Sequence, residues 1–102
     1  MIHVIAILTA QPGKRDIVLK EFRANVPNVK AEQGCIEYGA AVDADPGPSF
    51  QKKFGSDTFV VVEKWESMEA LKAHAAAPHM KAYADKVKDM LASRTIHILS
   101  PS

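Results

Sequence analysis

Apolar residues fall on both sides of an extended chain from Ile2 to Ala10. Val4, Ala6 and Leu8 lie on one side and His3, Ile5, Ile7 and Thr9 on the other, which predicts a first strand whose two faces both need covering. The period then changes. Beyond the turn residues Gln11, Pro12 and Gly13, the residues Val18, Phe22, Val26 and Val29 recur at spacings of four, four and three, the mark of a helix with one buried stripe. Pro27 lies inside that stripe. An interior proline removes a backbone hydrogen bond, so a break is expected near Val26, with Gly34 closing the helix in a left-handed conformation. Cys35 to Val42 reads as a second strand, with Ile36, Tyr38, Ala40 and Val42 on one face and Cys35, Glu37, Gly39 and Ala41 on the other. Asp43, Asp45, Pro46, Gly47 and Pro48 stop it, and a polar connection from Pro46 to Asp57 follows. It is far longer than a tight hairpin, as lids and binding loops often are.

The stretch from Thr58 to Tyr83 passes from strand to helix to second helix and carries most of the chemistry. Phe59, Val61, Glu63 and Trp65 share one face of the strand by period two, so a carboxylate and an indole point the same way. Ser67 offers an N-cap oxygen to a helix starting at Met68, with Glu69 in the first turn, where the helix dipole favours negative charge. Leu71, His74 and Ala75 share a face of that helix. Pro78 ends it and can open the next at its first position, and the sharp turn brings His74 and His79 to one corner. The last helix places Met80, Tyr83, Ala84, Val87 and Leu91 on one stripe, and Arg94 to Leu99 makes a final strand.

This order predicts an α+β fold of the ferredoxin-like, split βαβ type: a four-stranded antiparallel sheet with helices on one face. The first and third strands are apolar on both sides, so the other face should be buried too. A second copy related by a two-fold axis would cover it, giving a homodimer.

Length limits the chain of 102 residues to a single domain. A net charge of +1 supplies no broad field for nucleic acid or an anionic membrane. No apolar run approaches the roughly 18 residues that span a bilayer, and MIHVIAIL lacks the basic start and cleavage site of a signal peptide. Cys35 is the only cysteine, which excludes an internal disulfide and a thiolate zinc site. These features predict a cytoplasmic protein with neither nucleic-acid nor membrane partners, and with Cys35 as a small buried residue.

The chain contains no Gly-rich phosphate loop, GxSxG elbow, HExxH or dinucleotide fingerprint. The chemistry left is a set of aromatic and imidazole groups, Tyr38, Trp65, His74, His79 and Tyr83, with Glu63 as the one carboxylate on the apolar face of the central strand. Residue by residue, the plain alternative is structural: a satisfied helix histidine, and methionine or tyrosine at helical spacing in a core. His3 and His97 lie on strands that neighbour each other in this topology. Two histidines without a third ligand do not make a metal site, and no metal is expected.

Three segments, EQGCIEY from Glu32 to Tyr38, VVEKWESMEALKAH from Val61 to His74 and APHMKAY from Ala77 to Tyr83, resemble the antibiotic biosynthesis monooxygenase (ABM) domain family, within it the quinol monooxygenase-like branch. The resemblance covers nearly the whole chain. It implies a dimeric α+β barrel and oxidation of a quinol or phenol by O2 without metal, flavin or nicotinamide. It also implies a pocket between helices and sheet lined by Trp65, His74, Met80 and Tyr83, with His74 as the base. Tyr38 and His79 join the substrate-binding set, and Glu63 could orient a histidine or act as the base itself. The haem-degrading branch is less similar: an asparagine is expected where Ile7 stands and a histidine near Tyr83 or Ala84, leaving only Trp65 in common. The segment from Pro46 to Asp57 is longer than in compact members, which bears on the pocket mouth. Two other readings stay open. One is an isomerase-like enzyme of the same fold acting on a small phosphorylated or hydroxylated carbonyl compound, with Lys52, Lys53 and Lys81 as candidate phosphate ligands. The other is a non-catalytic ligand-binding dimer.

Overall fold

A computed structural model covers all 102 residues. The elements are β1 (Ile2–Ala10), α1 (Arg15–Lys30), β2 (Cys35–Ala41), β3 (Thr58–Trp65), α2 (Met68–Ala75), α3 (Pro78–Val87), one 3-10 turn (Lys88–Met90) and β4 (Leu91–Leu99). The strands form one sheet in the order β2-β3-β1-β4, every pair antiparallel. This is the expected α+β, ferredoxin-like arrangement.

One face of the sheet carries the core. Val4, Ala6, Leu8 and Ala10 of β1, Tyr38 of β2, and Phe59, Val61 and Trp65 of β3 are buried with Val18, Leu19, Phe22 and Val29 of α1, Leu71 of α2 and Val87 of α3. Phe22 is the hub, stacked on Tyr38 at 5.1 Å and edge-on to Phe59 and Tyr83 at 6.0 and 6.2 Å. On the opposite face, Ile5 lies across from Val62 and Ile7 across from Val60, which gathers four β-branched side chains into one patch that no helix covers.

α1 closes at Ala31 in a right-handed conformation and not at Gly34, whose left-handed φ of 84° lies in the connection to β2, and the structure departs from the sequence reading at three further points. α1 does not break near Val26: it runs through Pro27 to Lys30. The proline falls one turn from the end, where Val29 is fully buried and Asn28 Nδ2 donates to Asn25 Oδ1 at 3.1 Å. Burial of that last turn outweighs the single backbone bond lost to the ring. In β2 the register slips between Cys35 and Glu37, so Cys35 lies opposite Trp65 and packs against the core rather than following Glu37 to the open face. Third, Leu91 does not continue the last helix. The 3-10 turn ends α3, and Leu91 opens β4 opposite Ala10, three residues before the expected start at Arg94.

Candidate active site

The site is assembled where the C-terminal end of β3 meets the two short helices. Ser67, in an extended conformation, accepts a hydrogen bond from the Ala70 N–H at 3.1 Å and so starts α2 immediately after the strand. One turn and a half later, His74 lies on the inner face of α2, buried over β3. Pro78 opens α3 after the extended Ala77, which sets His79 beside the same corner.

A carboxylate overlooked in the sequence completes the corner. Glu32 Oε2 lies 2.8 Å from His74 Nδ1 and 3.2 Å from His79 Nε2. Only the first contact is aligned as a hydrogen bond; both ring nitrogens of His79 are buried without a partner. Glu32 stands in the connection between α1 and β2, held there by Gly34. That glycine has φ of 84°, and a Cβ on it would come within 2.6 Å of the Ala70 Cβ. Its carbonyl accepts from the Glu66 N–H at 2.8 Å. Only glycine allows both this left-handed backbone and the close approach to α2.

An ionised carboxylate only accepts, so Glu32 fixes the proton of neutral His74 on Nδ1 and leaves Nε2 with a free lone pair. That nitrogen is 3.9 Å from Glu63 Oε1, too far for a hydrogen bond but close enough for charge attraction once the ring is protonated. Glu63 is oriented by a different group: the Trp65 indole N–H donates to its Oε1 at 2.8 Å. Burial pushes the Glu63 carboxyl above the ordinary range, against the lowering effects of the Trp65 hydrogen bond and of His74. The Trp65 ring lies against His74, with centroids 4.6 Å apart, and Tyr38 meets His74 edge-on at 5.4 Å. The imidazole is thus held on two sides by rings and at Nδ1 by a carboxylate.

His74 and Glu63 form one wall of a cavity of about 680 Å3 between the sheet and α2 and α3. Tyr38, Met80 and Tyr83 line it as well, with Leu71, Val87, Leu91, Ile96 and Ile98. The Tyr83 hydroxyl is buried and has no partner. Burial pushes this phenol up to about 12, with the Glu21 charge adding to the effect, and it raises Tyr38 further still. Both are neutral donors at ordinary pH. The size and apolar lining suit a small aromatic molecule.

Two of the anticipated residues are not on this wall. Trp65 is fully buried behind His74 and Glu63, so it holds the pair in place rather than lining the cavity. His79 lies outside the cavity, beside Glu32. Of the three lysines considered as phosphate ligands, Lys52 and Lys53 stand in the connection between β2 and β3, away from the cavity. Lys81 lines it but is tied to Asp85 at 3.0 Å. His3 and His97 are two residues out of register across β1 and β4, where His97 faces Ile5, and no cluster of three metal-binding side chains exists. No helix is long and apolar enough to cross a membrane.

Known proteins are similar to this chain in sequence and in fold. Residues 1–86 match the family described as antibiotic biosynthesis monooxygenase. The chain is 43% identical over 103 residues to the probable quinol monooxygenase YgiN of Escherichia coli K12, covering 99% of this chain and 98% of that protein. Among solved structures, PA3566 of Pseudomonas aeruginosa superposes with a TM-score of 0.82 at 27% identity, covering 99% of this chain and 93% of that one. Rv0793 of Mycobacterium tuberculosis gives 0.81 at 25% identity, covering 99% and 94%. Similarity of this extent in sequence and in fold places the chain in the antibiotic biosynthesis monooxygenase family.

Proposed function

We propose that this monooxygenase acts on a quinol or phenol, inserts one atom of O2 into the ring, and takes every electron it needs from the substrate. A quinol plus O2 gives a hydroxyquinone plus water, which balances with no external reductant. The observation that carries the reading is the 2.8 Å contact from Glu32 to His74 Nδ1, which leaves Nε2 as a base on the wall of an apolar cavity. The similarity to YgiN, named as a probable quinol monooxygenase, favours the same substrate class.

His74 Nε2 takes the proton of one ring hydroxyl, and the Glu63 carboxylate beside it stabilises the imidazolium. The resulting anion is electron-rich enough to pass one electron to O2. Recombination of the radical pair at a ring carbon gives a peroxide anion, to which His74 returns the proton. Loss of the ring hydrogen as a proton, with cleavage of the O–O bond, leaves a carbonyl and water. Tyr83, on the cavity wall, flanks the substrate ring with its own. The apolar walls keep water from the radical pair.

A homodimer belongs to the same reading. The patch of Ile5, Ile7, Val60 and Val62 lies on the sheet face without helices, and a second copy packed there closes the barrel. Sedimentation at micromolar concentration should give twice the chain mass; a stable monomer would remove the barrel. For the chemistry, O2 uptake with a panel of quinols and phenols under isotopically labelled O2 should place one labelled atom in the product and one in water. Stoichiometric hydrogen peroxide would instead mark a simple two-electron oxidase, and no uptake with any member of the panel would end the proposal.

A further inference from the structure

The polar residues of the cavity are sorted by charge. Of its 22 lining residues, 16 are hydrophobic, and the other six are Glu63, His74, Lys72, Lys81, Lys88 and Arg94. Glu63 is buried and held by Trp65. The four cations are exposed and come from four different elements: Lys72 from α2, Lys81 from α3, Lys88 from the 3-10 turn and Arg94 from β4. Over the whole chain, 13 basic residues face 12 acidic ones, yet the exposed polar part of this lining contains no acid. Asp85 pairs with Lys81 at 3.0 Å and feels the Lys88 charge from further off, whereas Lys72 and Arg94 are in no ion pair. Arg94 lies opposite Leu8 in the sheet, so its side chain rises on the cavity face at the edge strand.

Resting on the quinol or phenol reading above, we propose that Lys72, Lys88 and Arg94 form an anion-binding rim, and that the substrate class is an aromatic quinol or phenol carrying an acidic arm such as a carboxylate. The ring enters the apolar cavity toward His74 and Tyr83 while the arm stays at the wet mouth among the three cations. Such a division needs no desolvation of the acid, because charge pairs at an exposed rim keep most of their water. It also sets the direction of entry, since a buried acid arm would face the Glu63 carboxylate.

Calorimetry under anaerobic conditions tests this, with a carboxymethyl hydroquinone and its methyl ester as a pair matched in shape. The wild-type chain should bind the acid roughly tenfold more tightly than the ester. Raising the salt should close that gap by screening, with no variant needed. The triple variant Lys72→Gln, Lys88→Gln, Arg94→Gln should close it as well, and each single variant should narrow it, which covers the event that the triple fails to fold. Equal affinity for acid and ester in the wild type, or a gap that survives in the triple variant, overturns the proposal. O2 uptake on the same samples separates the two readings. Preferred binding of the acid with no oxidation of either compound keeps the rim and removes the quinol chemistry; equal oxidation of both with no binding preference does the reverse.

Discussion

β3 and β4 both pair with β1, one on each side, and both alternate apolar residues toward the helices, yet their fates differ. On β3 the helix-facing residues Phe59, Val61, Glu63 and Trp65 are all buried. On β4 the equivalent positions, Arg94, Ile96 and Ile98, lie opposite the buried Leu8, Ala6 and Val4, but Ile96 is 46% and Ile98 51% exposed. The helices pack onto the β2-β3 side and stop short of the other edge. What remains between them and β4 is the cavity. Alternation states which way a side chain points, whereas cover decides whether it is core or binding surface, and here the same pattern serves both. The closed side fixes His74 and Glu63; the open side admits a ligand to them.

The sharpest way to break this division is at His74. If the closed side carries the base, His74→Ala should lower turnover by about 10²- to 10⁴-fold while the fold persists. Glu32→Gln should cause a smaller loss, because the base survives but its tautomer is no longer fixed by a carboxylate. The structural alternative is a loss of about 1 to 3 kcal/mol in stability from leaving Glu32 unpaired. Activity and thermal unfolding measured on one sample distinguish them; full activity in a folded His74→Ala variant would transfer the role to Glu63.

A second comparison sets Trp65→Ala against Ile98→Ala. The indole is wholly enclosed and donates to Glu63, so its truncation should cost about 3 to 5 kcal/mol in chemical denaturation. Truncating Ile98, half of whose surface meets solvent, should cost under about 1 kcal/mol and act on substrate affinity instead. Similar losses of stability from the two would mean that β4 is as covered as β3 and that the cavity is not open along that edge.

Much of this was legible in the sequence. The strand β1, the start of α2 at Ser67, the proline opening of α3 and the inward face of β3 follow from local rules, because alternation, capping and proline geometry act within a few residues. The elements misread are those where tertiary packing overrides a local preference. Burial of Val29 carries α1 past Pro27, and pairing with Ala10 draws Leu91 from a helical stripe into β4. Of the cavity's lining, His74, Glu63, Tyr83 and Tyr38 were legible from face and residue type and Met80 only through the family resemblance. Glu32 was not, because it occupies an aperiodic connection 42 residues from its partner and is brought there by the close contact of Gly34 with Ala70. Its signal was only a carboxylate beside a glycine. Nor can spacing tell that Trp65 stands behind the wall of the cavity instead of on it, since both positions share the same face of β3.

Glu63 sharpens the comparison through pH. Its carboxyl is raised by burial, so the folded chain holds a proton that the unfolded chain has released, and stability falls as pH rises from the ordinary carboxylate value of 4.5 through the raised one. Below that window the two states are equally protonated and the effect vanishes. Glu63→Gln keeps an oxygen for the Trp65 N–H and cannot ionise. It should therefore unfold at a higher temperature than wild type at neutral pH, with the gap closing toward pH 4 or below. A gap that widens on acidification would mean that Glu63 is stabilised as an anion by His74, and that the closed side is a salt-bridge site rather than a desolvated one.

The smallest expected effect concerns the joint between the two sides. Ser67 caps α2 through the Ala70 N–H at 3.1 Å, and α2 carries His74 from the end of β3 to the cavity wall. Ser67→Ala should cost about 1 kcal/mol of stability, the usual value of a lost N-cap. α2 is only eight residues long, too short to be stable without its packing and its cap, so fraying at its start should also loosen the Glu32 to His74 contact. The expected outcome is a lower kcat with a smaller change in the preference between acid and ester, because of the three rim cations only Lys72 rides on α2, while Lys88 and Arg94 come from other elements. Ser67→Asp, which restores an acceptor at the helix N-terminus, should recover both stability and kcat. A Ser67→Ala variant that loses acid preference instead would show that the two ends of the cavity are mechanically one.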